Sequence, residues 1–219
     1  MDYYIYGFII LLFIVFIILI FSNNWFKTHQ DICNDIYNQL PLYTKHKIIR
    51  GFLTKEECYK IIQEGKNYAS THGWTTKRHD DYPTTDNLIQ SKWKCYPYLK
   101  HKIEKQLYPE YVKLFNLSPN KLKIEEIFIA KYDGNNNLAQ KSLEYHEDGC
   151  EFSFIIGLND NYSGGGTHFV KKNKIIKLNT GDIVIFCGQT RHGGLHVTNG
   201  IRYILPGFLY YGKCKQQNE

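Results

Sequence analysis

Several familiar functional patterns are missing from this chain of 219 residues. It has no internal repeat and no low-complexity linker, which is consistent with one folded domain. None of its six cysteines lies in a C-x-x-C pair of the metal-binding kind. It also lacks a serine-hydrolase elbow and a paired-carboxylate motif, so no pattern indicates a protein nucleophile or an acid–base pair.

The positive charge of the chain is not concentrated in one tract. The formal net charge is +6 at pH 7, and the lysines that carry it are spread through the sequence. This distribution predicts a solvated surface and no nucleic-acid partner, while attraction to acidic polymers or to a membrane surface remains open.

The longest apolar run extends from Tyr3 to Phe21 without a charge, and the uncharged stretch continues to Phe26. This is long enough to span a bilayer. A cleaved signal peptide has a shorter core behind a basic start, whereas this run follows Asp2. Neither flank has a clear excess of positive charge, so the orientation stays open. We therefore predict a transmembrane anchor at 1–26, a stalk at 27–43, one domain at 44–213 and a tail at 214–219.

Helical patterns come first in the domain, and short strands follow. Thr54 and Glu57 have the spacing of a capping box ahead of an amphipathic helix. A second helical pattern runs through Tyr98 and Leu107 and ends before the loop containing Pro119. The second half alternates short apolar runs with Gly, Asn and Asp. This order predicts an α+β fold in which supporting helices precede a double-stranded β-helix, or jelly roll. In the last strand, Pro206 predicts an edge position or a bulge.

Two histidines and an aspartate have a spacing typical of a metal site. His146 and Asp148 are two residues apart in LEYHEDG, so in an extended strand their side chains point to the same face. His192 follows Asp148 by 44 residues, and Arg202 lies ten residues further on. Two histidines and one carboxylate leave positions open on an iron ion, although zinc accepts a similar set. The forked, permanent charge of Arg202 favours iron, because it suits a carboxylate-bearing cosubstrate beside the metal.

From about Ile48 to Tyr211 the chain resembles the 2-oxoglutarate- and Fe(II)-dependent dioxygenases of the procollagen prolyl 4-hydroxylase and lysyl hydroxylase type, with the lysyl branch slightly closer. The segments that carry the resemblance are, in order, HEDGCEFSFIIGLND, YSGGGTHF, NTGDIVIF and RHGGLHVTNGIRYIL. The resemblance implies Fe(II) bound by His146, Asp148 and His192, with 2-oxoglutarate as cosubstrate and with ascorbate.

The same resemblance implies two cosubstrate-binding residues and a reaction. Arg202 is expected to pair with the far carboxylate of 2-oxoglutarate, and Tyr132 to hydrogen-bond it. The expected reaction hydroxylates a prolyl or lysyl residue of a peptide or protein while 2-oxoglutarate is decarboxylated to succinate. Two alternatives stay open: the same chemistry on a small molecule or lipid, and a catalytically silent, membrane-tethered binding module. The oligomeric state is not indicated.

Other histidines are weaker candidates for the metal site. His196 stands where the family commonly has Pro. Counting from His192 puts Gly200 and Arg202 at the family's Gly and basic residue, so His192 is the preferred ligand. His168 has no partner at ligand spacing and is expected to be an ordinary strand residue.

The aperiodic loop between the two helical patterns is ambiguous from the sequence. Trp74, Arg78, His79 and Tyr82 are candidates for a substrate groove, and an ordinary loop explains them equally well. Cys187, although close to His192 in sequence, is expected to fill the core.

The cellular compartment is predicted from weaker signals. Six cysteines allow 15 pairings in an oxidising lumen, or they are small buried hydrophobes in a reducing compartment. The triplets NLS at Asn116 and NYS at Asn161 are compatible with a lumenal domain. We predict a single-pass membrane protein with its domain in the endoplasmic reticulum lumen, mainly because family members that modify secreted chains act there.

Overall fold

The computed structural model describes residues 42–79 and 81–212. The predicted anchor at 1–26, the tail at 214–219 and nearly all of the stalk lie outside the described residues, so the anchor stays a prediction from the sequence. Among residues 42–79 and 81–212, no helix has the length and apolar character needed to cross a membrane. Tyr43 is buried, and its carbonyl accepts a 3.0 Å hydrogen bond from the Thr190 hydroxyl. The packed domain therefore includes the last residue of the predicted stalk.

The first long element is helix α1, Lys55–His72, and it begins at the predicted capping box. The Thr54 hydroxyl accepts from the Glu57 N–H, and the Glu57 carboxylate accepts from the Thr54 N–H. A cap of this kind stabilises a helix by about 1 kcal/mol. One face of α1 is buried, with Cys58, Ile61, Ile62 and Gly65.

The second helical pattern consists of three consecutive segments. Helix α2 spans Tyr96–Lys102, a π-helical turn spans Ile103–Leu107, and helix α3 spans Tyr108–Phe115. Pro109 has no N–H to donate to the carbonyl of Lys105, four residues earlier, and the wider turn lies immediately before it. The helices thus end at Phe115, before the loop that contains Pro119, as predicted.

In the described part of the chain, twelve strands follow or interrupt the helices. Their bounds are β1 His46–Ile49, β2 Asp86–Leu88, β3 Leu122–Asp133, β4 Leu143–His146, β5 Phe152–Gly157, β6 Ser163–Gly164, β7 Thr167–Phe169, β8 Lys174–Ile176, β9 Ile183–Cys187, β10 His192–Gly194, β11 Val197–Asn199 and β12 Ile201–Tyr211. The larger sheet has the order β1-β9-β5-β12-β3-β2, and the smaller has the order β4-β10-β7-β8. Strands β11 and β6 form a separate pair. Strands that are distant in sequence are neighbours in both sheets, as in a double-stranded β-helix.

The core lies between the two sheets and follows the alternation of their strands. On β3 the inward residues include Phe128 and Tyr132, and on β9 they include Val184 and Phe186. The smaller sheet contributes Phe169 from β7. Each fully buried apolar side chain contributes about 1.5–3 kcal/mol to folding. The molecule is mostly β-sheet with few helices, and the predicted jelly roll with supporting helices agrees with this architecture.

The expected role of Pro206 is wrong. Its strand, β12, lies between β5 and β3, so Pro206 is not at an edge. The ladder between β12 and β3 skips Leu205 and Pro206 and resumes at Gly207, which accommodates the missing N–H. The shift in register lies further along, between Phe208 and Leu209.

Candidate metal and anion site

Two histidines that are far apart in sequence meet because their strands are neighbours. His146 ends β4, His192 begins β10, and the two residues lie directly opposite each other in the antiparallel ladder. Opposite residues in such a ladder project their side chains to the same face. The ring centroids are 4.4 Å apart. The register of the smaller sheet thus builds the histidine pair.

Asp148 reaches the histidines from outside the strand in which it was predicted. Strand β4 ends at His146, and Asp148 lies in the following turn, where its N–H donates to the Gly188 carbonyl at 2.8 Å. One carboxylate oxygen, Oδ1, is 3.4 Å from His146 Nε2, and the other, Oδ2, is 3.9 Å from His192 Nε2. The two-residue spacing therefore brings Asp148 to the correct place, but by a turn and not by strand alternation.

Both imidazole rings are oriented by the same backbone contact. Nδ1 of His146 is 2.8 Å from the Glu144 carbonyl, and Nδ1 of His192 is 2.8 Å from the Thr190 carbonyl. A carbonyl can only accept, so each Nδ1 carries the proton and each Nε2 presents a lone pair. One donor atom from each of His146, Asp148 and His192 lies within 4.8 Å of the others. These three residues are called the triad below.

The electrostatics of the triad favour a positive charge among its members. Burial alone would raise the pKa of Asp148, but its electrostatic interaction with His192, its close contact with His146 and a hydrogen bond from Ser153 outweigh burial and lower that pKa. Burial opposes protonation of His146, yet contacts with Asp148 and the Glu144 carbonyl raise its pKa. Burial lowers the pKa of His192, which favours the neutral ring, the form that binds a metal.

A second pair of side chains lies opposite in the larger sheet. Arg202 of β12 and Tyr132 of β3 are direct partners in the ladder, and the guanidinium carbon is 5.5 Å from the centroid of the tyrosine ring. Arg202 is 3% exposed. Its two terminal nitrogens donate at 3.3 Å to the Gly166 carbonyl and the Thr167 hydroxyl, whereas Nε is buried and has no hydrogen-bond partner within the described part of the chain. Arg202 and Tyr132 are called the anion pair below.

The anion pair lacks a compensating negative charge in the described part of the chain, where Arg202 forms no ion pair. A buried, unpaired cation is costly, and proteins usually pair such a group or place it against a ligand. Tyr132 is also buried, and burial raises the pKa of its hydroxyl despite the opposing charge of Arg202. The hydroxyl therefore stays protonated and is available as a donor. Together the two side chains have the chemistry of a carboxylate-binding site.

The distance between the triad and the anion pair follows from the strand register. Thr167, which Arg202 contacts, pairs with Gly194 on β10, two residues from His192. A Cβ on Gly194 would lie 3.7 Å from the Tyr132 hydroxyl, so Tyr132 reaches the same position. Two residues of strand correspond to about 7 Å. A five-carbon dicarboxylate has a length of that order.

One cavity of about 330 Å³ contains both groups. This volume is in the range typical of small-ligand pockets. Apolar side chains separate the polar groups along its wall: Phe128, Leu143, Ile155, Ile204, Pro206 and Phe208. The triad fits a divalent transition metal by donor type and arrangement, and a face of two imidazoles and one carboxylate leaves the remaining positions of an octahedral ion open.

The structure also places the residues that the sequence left ambiguous. His196 is exposed and does not belong to the cluster of possible metal ligands in the described residues. His168 lies on β7, where its ring nitrogens contact the Tyr145 hydroxyl at 2.8 Å and the Asn173 side chain at 3.1 Å. Cys187 is buried in β9, as expected of a core residue. The described cysteines, Cys58, Cys95, Cys150 and Cys187, are all free.

The candidate groove residues have different roles. His79 and Tyr82 line the cavity, and the Tyr82 ring is 5.1 Å from the His146 ring. Arg78 holds the loop in place by donating to Asp86 at 2.6 Å and to Glu126 at 2.7 Å. Trp74 does not line this cavity and packs beside a tyrosine of β12, with ring centroids 6.2 Å apart.

Three contributors to the site were missed in the sequence. Ser153 donates to Asp148, Thr167 contacts Arg202, and Gly166 offers Arg202 its carbonyl. All three glycines of the YSGGGTHF segment have positive φ, between 63° and 111°, a conformation that favours glycine. The glycine run was the signal for this turn. Its contact with Arg202 could not be read from local sequence.

Comparison with known proteins identifies a fold and no sequence family. No family model matches the chain, and no curated protein matches it. Among solved structures it is similar to the viral collagen prolyl hydroxylase of Paramecium Bursaria Chlorella virus-1, with a TM-score of 0.57 and 19% identity over 77% of this chain and 90% of that chain.

Two further solved structures are similar to the chain. One is a Pseudomonas putida prolyl-4-hydroxylase, with a TM-score of 0.61 and 14% identity over 77% of this chain and 93% of that chain. The other is a Trichoplax adhaerens prolyl hydroxylase in complex with a peptide of hypoxia inducible factor, with a TM-score of 0.58 and 13% identity over 85% and 94%. The chain therefore has the fold shared by prolyl hydroxylases and other 2-oxoglutarate–Fe(II) oxygenases.

Proposed function

We propose that this protein is an Fe(II)- and 2-oxoglutarate-dependent dioxygenase that hydroxylates prolyl or lysyl residues of a peptide or protein. The observation that carries the proposal is one cavity that contains both a two-histidine, one-carboxylate triad and a buried arginine that has no ion partner among the described residues. A divalent metal satisfies the triad, and a cosubstrate with a carboxylate at its far end satisfies Arg202. 2-Oxoglutarate meets both requirements at a separation of about 7 Å along the strand.

The proposed roles of the chain's own residues follow from their surroundings. His146 and His192 present Nε2, and Asp148 presents a carboxylate oxygen, to hold Fe(II). When bound, Fe(II) with 2-oxoglutarate and dioxygen supplies the oxidation of a C–H bond, with succinate and carbon dioxide as the other products. Arg202 binds the far carboxylate with charge-assisted hydrogen bonds, and the protonated Tyr132 hydroxyl donates a further one.

The apolar wall of the cavity has a second function in this proposal. By excluding water between the triad and the anion pair, it strengthens the contacts of Arg202 with a carboxylate and limits side reactions at the metal. His79 and Tyr82 also line the cavity, and in this proposal they contact the substrate. These residues orient and sequester the reactants, while the chemistry belongs to the metal and its cosubstrate.

A peptide substrate is supported by the neighbours in fold. One neighbour is a collagen prolyl hydroxylase, and another was solved with a peptide bound. A further structure of the chlorella-virus enzyme, with a TM-score of 0.53, contains 2-oxoglutarate. We include ascorbate in the proposal as the reductant that keeps the iron in the Fe(II) state.

The test measures succinate formed from 2-oxoglutarate by the full-length protein with Fe(II) and ascorbate. Pro-rich and Lys-rich peptides are added separately, and mass spectrometry maps any gained oxygen atom. We expect one peptide class to stimulate succinate formation and to gain one oxygen. If the protein binds metal but neither peptide stimulates succinate formation, a small-molecule or lipid substrate would be favoured instead. Absence of both metal binding and turnover would favour the silent binding module.

Two histidine variants provide a matched control. His192→Ala removes a member of the triad, whereas His196→Ala removes an exposed imidazole four residues later. We expect turnover to disappear in the first variant and to remain in the second. The reverse result would show that His196, and not His192, is the metal ligand.

A further inference from the structure

The two carboxylate oxygens of Asp148 have different surroundings. Oδ2 accepts a 2.6 Å hydrogen bond from the Ser153 hydroxyl, whereas Oδ1 lies 3.4 Å from His146 Nε2. The Asp148 side chain is only 5% exposed, so a hydrogen bond from the protein strongly favours one orientation of its carboxylate. Ser153 therefore controls the rotation of this carboxylate.

The direction of each hydrogen bond is determined by the available protons. An ionised carboxylate can only accept, so Ser153 donates its proton to Asp148. Cys150 Sγ lies 3.2 Å from Ser153 Oγ and 3.2 Å from the Phe152 carbonyl. Ser153 gives its single proton to Asp148, so in its contact with Cys150 the serine oxygen can only accept from the thiol. The serine oxygen is thus satisfied as donor and acceptor.

Ser153 is itself held in position by an element outside the two sheets. It lies in β5, is 1% exposed, and its carbonyl accepts a 2.6 Å hydrogen bond from the buried Tyr111 hydroxyl of α3. Its neighbours in β5 are paired with β9 and β12 on both sides. The backbone that carries the Ser153 hydroxyl is therefore rigid, as expected for a group that orients a metal ligand.

We propose that Ser153 is a positioning residue that limits Asp148 to one metal-binding oxygen, Oδ1. This inference rests on the proposed Fe(II) site. Two imidazoles and one carboxylate oxygen leave three positions of an octahedral ion open for the cosubstrate and dioxygen. A carboxylate that bound through both oxygens would fill one of those three positions. By occupying Oδ2, Ser153 keeps that position open.

The test uses Co(II) binding to the full-length protein without cosubstrate, followed by calorimetry and by visible absorption. Ser153→Ala removes the hydroxyl. Ser153→Thr and Ser153→Val have the same shape as each other and differ in the hydroxyl alone, so they test the inference even if the alanine variant does not fold. Cys187→Ala is the matched control, because it also removes one γ atom from a buried residue, in the neighbouring strand β9, where Cys187 pairs with Phe152.

We expect the Ala and Val variants to bind Co(II) about 10- to 100-fold more weakly than the parent protein. Their absorption bands should change, since a second aspartate oxygen alters the coordination. The Thr and Cys187→Ala variants should keep the parent affinity and spectrum. Equal affinity and spectra in the Thr and Val variants would overturn the positioning role. A parent protein that binds neither Co(II) nor Fe(II) would instead overturn the metal site.

Discussion

The triad and the anion pair are built in the same way but on very different supports. His146 and His192 are cross-strand partners on β4 and β10, which have four and three residues. Tyr132 and Arg202 are cross-strand partners on β3 and β12, which have twelve and eleven residues and lie inside the larger sheet. Long strand ladders hold the anion pair in place, whereas the position of each triad side chain depends on individual hydrogen bonds. The triad should therefore be the more sensitive of the two to single substitutions.

The largest effect is expected at the triad. Asp148→Ala removes the negative charge that compensates a cation between the histidines. We expect metal affinity to fall by more than about 100-fold, which is more than the loss of a hydrogen bond to a metal ligand would cause. Turnover should fall to background. Calorimetry with Co(II) and succinate formation measure the two quantities. Normal turnover in the purified variant would show that the reaction does not need the triad.

Substitution of Arg202 should separate ligand binding from stability. Arg202→Met removes a buried charge that has no ion partner in residues 42–79 and 81–212, so we expect the ligand-free variant to be as stable as the parent or more stable. Affinity for 2-oxoglutarate should fall by about 2–5 kcal/mol, or roughly 30- to 4,000-fold, because the carboxylate loses its charged partner.

Thermal unfolding and calorimetry distinguish the two effects of Arg202→Met. In the parent protein, 2-oxoglutarate at 100 times its Kd should stabilise the fold by about 2.7 kcal/mol, and the variant should lose that response. A strongly destabilised variant without ligand would show that Arg202 supports the fold and would weaken its assignment to the cosubstrate.

Tyr132→Phe should have a smaller effect than Arg202→Met, since it removes one neutral donor. We expect 2-oxoglutarate to bind about 0.5–1.5 kcal/mol more weakly, which corresponds to about 2- to 12-fold. Burial raises the pKa of Tyr132 above its ordinary value of 10.0, so loss of this proton should not weaken binding below that pH. Calorimetry across pH measures both effects, and unchanged affinity in the variant would assign Tyr132 to the core.

The smallest effect on activity is expected outside the cavity, at Asp182. Burial alone would raise the pKa of Asp182, but hydrogen bonds from Arg50 and the Gly51 N–H outweigh it and lower that pKa. A carboxyl group with a lowered pKa in the folded state stabilises the protein above its unfolded pKa. This contribution is lost as the pH falls from about 3.8, its ordinary value, through the lower folded value.

Asp182→Asn tests that pH dependence. At neutral pH the variant should be about 1 kcal/mol less stable, with cosubstrate affinity unchanged. Its disadvantage should shrink as the pH falls below 3.8, and denaturant unfolding at several pH values measures it. A disadvantage that does not vary with pH would show that the charge of Asp182 is not involved.

Local patterns in the sequence predicted several parts of the structure correctly. The capping box at Thr54 begins α1, because its two hydrogen bonds involve residues only three apart. The alternating residues of β3 face the core on one side, as the strand pattern indicates. The short strands β1 and β2 were not predicted, since three or four residues carry too little periodicity. The prediction for Pro206 was wrong because a residue without an N–H also fits where a ladder inside a sheet is interrupted.

The sequence by itself determined the donor types, their order and the spacing that made His146, Asp148, His192 and Arg202 candidates. Only the tertiary structure decided that Asp148 approaches from a turn, and that Ser153 and Gly166 contact the site. The physical reason is register. Which residues of two distant strands lie opposite each other depends on how the whole sheet is assembled, and no short stretch of sequence contains that information.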